Sequence, residues 1–141
     1  MKQINFFCED VNFVLKNKSK IRTWIVSTIE QYQKKPQTIN YIFCSDEHLR
    51  KVNIEYLQHD YYTDIITFDS SEIIAEIEGD MYISIDRVRE NAKDFGVSFE
   101  TELHRVLIHG ILHLIGYQDD TDEGEAEMRI LETKALSNLT A

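Results

Sequence analysis

The sequence predicts a layered α+β (mixed α/β) domain built on a small mixed sheet. Short runs of β-branched and aromatic residues alternate with segments of helical periodicity as far as Phe95, and beyond that point the pattern is helical alone. Size is the third observation: 141 residues close one core around such a sheet, so residues 1–141 are expected to form a single domain. No repeat, low-complexity tract or Gly/Ser-rich linker interrupts the chain, and Pro36 is its only proline.

Taken in order, "INFFCE" (4–9) is a short apolar strand. Ser19 is placed to cap a helix in which Ile21, Trp24, Ile25, Ile29 and Tyr32 recur at helical spacing, and "KKP" (34–36) ends it. "INYIFC" (39–44) has the β-branched and aromatic content of a buried strand. Ser45 opens the next helix, with Asp46 and Glu47 in its first turn and Leu49, Val52 and Tyr56 on one face. "DIITFD" (64–69) is a third strand, and "EGDMYISI" (78–85) supplies a turn, including Asp80, and a fourth strand. Asp86 caps a helix that turns Val88, Ala92 and Phe95 inward and stops at Gly96. Ser98 starts "FETELHRVLIHGILHLIG", apolar on nearly every side from Val106 to Ile115 and therefore a central, buried helix. Asp122 and Glu125 have capping-box spacing ahead of a last helix that packs through Met128, Leu131, Ala135 and Leu139. The expectation is four strands and about five helices.

With 43% hydrophobic and 28% charged residues, the composition is that of a folded globule and excludes a disordered or fibrous chain. "MKQINFFCEDVNF" carries charge near its start and no long apolar run, so it does not read as a signal peptide. No stretch approaches the length of a bilayer span, and a cytoplasmic location without membrane contact is expected. Cys8 and Cys44 both fall in expected strands and are expected to be buried thiols, with a disulfide between them as the alternative. The net charge of −10 is uneven: residues 1–53 hold nine Lys/Arg against five Asp/Glu, residues 54–141 six against twenty. A phosphate-rich partner is therefore met by a local basic surface, for which "LKNKSKIR" (15–22) and Lys34–Lys35 are the candidates, although solvated helix ends have the same composition.

"HGILHLIGYQD" (109–119) carries the chemistry. Residues four apart share a helix face, so His109 and His113 can direct two imidazoles at one ion. Burying two unpaired imidazoles in so apolar a helix costs desolvation unless something uses their nitrogens. Gly116 can take the positive φ that ends a helix, after which the chain doubles back and brings Asp119 towards the rings. Two imidazoles and one carboxylate form an open set of three ligands that leaves a position for water or substrate. Asp120 is the alternative carboxylate, and ordinary core histidines with a loop acid are the alternative to a metal site altogether. The same spacing occurs in metzincin-like proteases, but those need a glutamate directly after the first histidine as general base. Here that position is Gly110, which suggests that another backbone or a substrate approaches closely.

This segment resembles the H-G-x-L-H-L-x-G-Y-D-H motif of the YbeY-type bacterial endoribonucleases, metal-dependent ribosomal RNA maturation factors. "VNIEYLQHDYYTDIITFD" is similar to the family's L-N-x-x-Y-R-x-x-D-x-P-T-D-V-L-S-F-P, and "EGDMYIS" to its G-D-I-x-I-S strand. The resemblance spans most of the chain. It implies a four-stranded mixed sheet with the metal on the central histidine helix. It further implies cleavage of single-stranded RNA in 16S ribosomal RNA 3′-end maturation and ribosome quality control, with the ribosome or its proteins as partners and no DNA. Two departures from it matter. The family's third ligand is histidine, whereas Asp119 stands here; the implied cofactor is one divalent metal, zinc first, with Mn²⁺ or Fe²⁺ made acceptable by the carboxylate. The family's arginine is replaced by Leu57, and Arg105, one turn before His109, is the candidate substitute; an ion pair with an acid of a neighbouring helix is its other reading. Thr63 and Asp64 match the family's T-D pair, and Asp64 is a candidate to orient a ligand histidine through its free ring nitrogen. His48, His59 and His104 have no recommending spacing.

A metal-supported reaction at phosphorus, by an activated water or by the RNA's own 2′-hydroxyl, is the chemistry expected. Cations of the first helix would hold the backbone, and Tyr61, Tyr62 and Tyr117 are available to stack on bases. The rivals are a metallopeptidase or other metal hydrolase, a non-enzymatic ribosome-associated factor with a structural metal, and a ferrous oxygenase.

Overall fold

The four apolar runs pair into one sheet. In the computed structural model, which describes residues 3–139, the elements run β1 (Ile4–Cys8), α1 (Lys18–Gln31), β2 (Lys35–Cys44), α2 (Asp46–Leu57), β3 (Ile65–Asp69), β4 (Glu76–Ser84), α3 (Ile85–Phe95), α4 (Phe99–Ile115) and α5 (Asp122–Leu139). Strand order is β1-β2-β4-β3, with β1 and β4 parallel to β2 and β3 antiparallel to β4. This is the expected mixed sheet with five helices.

Period-two alternation divides the sheet between two cores. Tyr41, Phe43, Met81 and Ile83 face the larger one, with Ile25 and Ile29 of α1 and Leu107, Ile108 and Ile111 of α4. Cys44 and Ile66 face the smaller one, under Leu49 and Val52 of α2. Because both its faces are covered and it has a strand on each side, β2 is buried continuously from Tyr41 to Cys44. Two buried hydrogen bonds fix helices in register. Tyr41 Oη donates to Leu107 O at 2.7 Å, and Trp24 Nε1 to Ala135 O at 2.8 Å, tying α4 to the sheet and α5 to α1. No helix of the described residues is long and apolar enough to cross a membrane.

Several local expectations shift. α1 is capped by Asn17 in the left-handed region (φ 60°), not by Ser19. α3 is capped by Ser84, whose hydroxyl accepts from Arg87 N, so Asp86 lies in its first turn. Ahead of α5, Thr121 Oγ1 accepts from Gly124 N at 3.0 Å, and Asp122 is the first helical residue. Ser45 and Ser98 cap as expected. β2 starts at Lys35 and includes Pro36; pairing with β1 begins only at Ile39, so the proline's missing N–H falls where β4 alone is the partner. β4 starts at Glu76, which puts Asp80 inside a strand, where it accepts from Asn40 Nδ2 at 2.9 Å, instead of in a turn. Tyr56 and Phe95 point outward, at 63% and 54% exposed, against the inward facing expected of them. Both thiols are free, but only Cys44 is buried; Cys8, at the end of an edge strand, is exposed.

Candidate metal centre

α4 is buried along most of its length because it lies between the sheet, α3 and α5. Gly110 is where it comes closest to the sheet. A Cβ there would collide with Met81 Sδ and sit 2.9 Å from Ile65 Cδ1. Side chains of β4 and β3 therefore occupy the space, not the backbone or substrate expected from sequence, and a side chain at this position would have to displace them.

One residue before that contact and three after it, the helix presents its histidines. The rings of His109 and His113 stand 4.7 Å apart, inclined at 76°. Gly116 then takes φ 127°, its N–H bonding to Leu112 O and His113 O, and the chain reverses. Tyr117 packs on Tyr32 at 5.8 Å, which anchors the bend to the end of α1. The reversal delivers Asp119 between the rings. Its Oδ2 lies 3.4 Å from His109 Nε2, and its Oδ1 lies 3.3 Å from His113 Nε2. One donor atom from each of the three residues fits within 4.8 Å of the other two. Ligands bonded to one zinc at about 2.0–2.1 Å with tetrahedral angles stand about 3.4 Å apart, so the donor set present fits such an ion. Asp120, the alternative carboxylate, is exposed and outside this group.

The other face of His109 meets α5. Its Nδ1 is 2.6 Å from Glu132 Oε2, and Arg105 donates to Glu132 Oε1 at 3.0 Å. Arg105 Nε also lies 3.6 Å from Glu102 Oε1. The arginine thus takes the second of its two readings, an ion pair with an acid of a neighbouring helix. Asp64 is displaced from its expected task as well, because Glu132 already occupies the nitrogen it was to orient. Asp64 instead accepts from Asn91 Nδ2 at 3.5 Å and faces His109 across a cavity.

Burial and charge set the titration of these groups. Burial opposes a charge on His109, but the Glu132 hydrogen bond and charge, with Asp119 and Asp64, outweigh it and raise its pKa. In His113, burial and then the neighbouring His109 lower it. Burial raises the carboxyl of Asp64, with His109 pulling the other way. Glu102 is pushed up to about 7, chiefly by burial and against the pull of Arg105.

Two hollows meet at the site. An inner one of about 170 Å³ is lined by Asp64, Glu102, Arg105, His109, Asp119 and Glu132 among others. An outer cleft of about 660 Å³ is bounded by Leu57 at the end of α2, by His59, Tyr61 and Thr63 of the α2–β3 connection, and by His109, His113 and Asp119. Neither is lined by a cation of residues 15–22 or by Lys34 or Lys35, so the basic surface expected to serve the site lies elsewhere.

A sequence profile described as endoribonuclease YbeY matches residues 3–140. The chain belongs to the endoribonuclease YbeY family. It is 49% identical over 134 residues to the protein called endoribonuclease YbeY from Cytophaga hutchinsonii, covering 95% of this chain and 94% of that one. The likeness to the Porphyromonas gingivalis protein of the same name is 48% over 136 residues, covering 96% and 89%. The solution structure of TM1509 from Thermotoga maritima superposes with a TM-score of 0.64 at 27% identity, covering 96% of this chain and 88% of that one.

As a YbeY-family site, this one has two departures from the motif, in a metal donor and in the family's arginine, that face the same space. Asp119 and Leu57 both line the outer cleft, one as a donor, the other as an apolar side chain 41% exposed. Of the three tyrosines, Tyr61 lines the cleft and stacks on His59 at 5.3 Å. Tyr62 hydrogen-bonds Glu47, and Tyr117 is taken up by Tyr32. The residues that sequence reasoning missed are Glu132 and Glu102, buried at 5% and 2% exposed. Their signal was present: Glu132 lies four after Met128 and three before Ala135, an acid set in an apolar stripe.

Proposed function

We propose that the chain is a metal-dependent endoribonuclease that cleaves single-stranded RNA, in the first place ribosomal RNA, with the metal held by His109, His113 and Asp119. One observation carries the reading: two ring nitrogens and one carboxylate, on a buried helix and the bend after it, converge to within 4.8 Å at the floor of an open cleft. The relatives' name supplies the reaction class. Ribosomal partners and a cytoplasmic location rest on the likeness of the motifs.

A bound divalent cation supplies Lewis acidity towards a phosphodiester oxygen. The chain's own residues do the rest. His109 and His113 present Nε2, and Asp119 a carboxylate oxygen, on the cleft side of α4. Gly110 offers no base, while Asp64 lines both hollows beside His109, in place to accept a proton from an attacking water or 2′-hydroxyl. Tyr61 and His59 on the facing wall give an unpaired base a flat surface. A carboxylate in the third ligand position suits Mn²⁺ or Fe²⁺ as well as Zn²⁺.

His113→Ala tests the assignment. Bound metal by elemental analysis and cleavage of single-stranded RNA are expected to fall together, on the order of 100-fold or more, with the circular dichroism spectrum retained. Wild-type metal content in that variant ends the ligand assignment. Loss of fold on chelation of the wild-type protein would instead favour the structural-metal reading.

A further inference from the structure

A neutral imidazole carries one N–H, and which nitrogen bears it decides which can bind a cation. His109 has a carboxylate on only one side of that choice at hydrogen-bonding distance: Glu132 Oε2 at 2.6 Å from Nδ1, against 3.4 Å from Nε2 to Asp119. Building on the metal reading above, we propose that Glu132 is a positioning residue of the centre. By accepting the Nδ1 proton it fixes the tautomer and ring orientation that leave the Nε2 lone pair directed at the cation, and Arg105 holds Glu132 in place.

The geometry supports each part. Glu132 comes from α5, whose register on the core is set by the buried Met128 and Ala135 on either side of it and by the Trp24 bond to Ala135 O. Its side chain is 7% exposed, and both oxygens are engaged, one by His109 and one by Arg105. A buried carboxylate without those partners is strongly unfavourable, so the pairing holds itself together. The arginine's charge is therefore directed inward at Glu132 and Glu102, which removes it from the role of phosphate cation. Glu132 does not belong to the converging donor group; it acts through His109 and touches no substrate. A carboxylate on the far nitrogen also makes the ligand nitrogen more basic, and removal of such a partner typically costs about 10–100-fold in metal affinity.

The test uses the full chain and zinc alone, with dissociation constants from chelator competition for wild type, His113→Ala, Glu132→Gln and Glu132→Ala. Glu132→Gln keeps the volume and an acceptor but loses the charge, and affinity is expected to fall about tenfold. Glu132→Ala is expected to approach a 100-fold loss. Imidazole ¹⁵N spectra of the zinc-free protein above pH 8 provide the readout that simple packing would not move: His109 Nδ1–H in wild type, shifting to the Nε2–H form in Glu132→Ala. If Glu132→Ala does not fold, Glu132→Gln decides on affinity alone. Wild-type zinc affinity in the Glu132 variants, with His113→Ala defective, overturns this role and leaves the metal centre standing. Failure of the wild-type protein itself to bind zinc overturns both.

Discussion

On the α4–α5 side of the site, His109, Glu132 and Arg105 are bonded to one another in a buried chain, and Glu102 stands against the arginine. Across the outer cleft, Leu57 at the end of α2 and His59 and Tyr61 on the connection after it stand exposed, and no lysine or arginine lines that wall. The first wall is fixed by tertiary packing and has one geometry. The second offers surface, with the apolar side chain of Leu57 among its exposed groups. What is rigid here is the ligand set; what is adjustable is the grip on the substrate.

The contrast predicts that substitutions on the buried wall act on stability and metal, and those on the open wall on substrate affinity. The largest effect is expected from Glu102→Gln. Its folded-state pKa of about 7 lies above the ordinary 4.5, so the native protein holds the extra proton. That contribution is complete below pH about 4.5 and is lost as pH rises through about 7. The glutamine variant therefore matches wild type in urea titrations near pH 4.5 and exceeds it by about 1–3 kcal/mol at pH 8. Equal stability at both pH values would show that the buried charge is compensated.

Gly110→Ala is expected to lose about 1–2 kcal/mol in the same assay. Overpacking against Met81 and Ile65 costs about 1–3 kcal/mol, and alanine's helix propensity returns up to about 1. Asp119→His restores three imidazoles and should shift the zinc-over-manganese affinity ratio about tenfold towards zinc; an unchanged ratio counts against Asp119 as a ligand. The smallest effect, and the one that tests the open wall, is Leu57→Arg. KM for single-stranded RNA should fall about threefold at low salt with kcat unchanged, and the gain should vanish as salt rises.

The part of the site that sequence made legible is the part that lies on one helix and the turn after it. The His109–His113 spacing, the terminator Gly116 and the return of Asp119 are local geometry, and local geometry follows from residue order. Glu132 is 23 residues beyond His109 and reaches it only because α5 docks on α4, a relation no spacing encodes. The ion pairing of Arg105 and the place of Glu132, not Asp64, on His109 Nδ1 were open for the same reason, since both turn on which acid reaches which partner across helices. In the fold, element types followed from periodicity, while caps slipped by one or two residues where a nearby hydroxyl or a left-handed asparagine closed the turn first. Phe95 and Tyr56 held helical spacing with the inward residues but sit at helix ends beyond the packed layer, Phe95 under Arg129 and Tyr56 against Phe68.

At Gly110 the helix rests on the sheet with nothing between backbone and the Met81 and Ile65 side chains. A glutamate there, imitating a zinc peptidase, would have to push aside the ends of the Met81 and Ile65 side chains on which α4 rests. The bare α-carbon thus weighs on reaction type: the acid that proteolysis demands enters only by repacking the layer beneath the ligand helix.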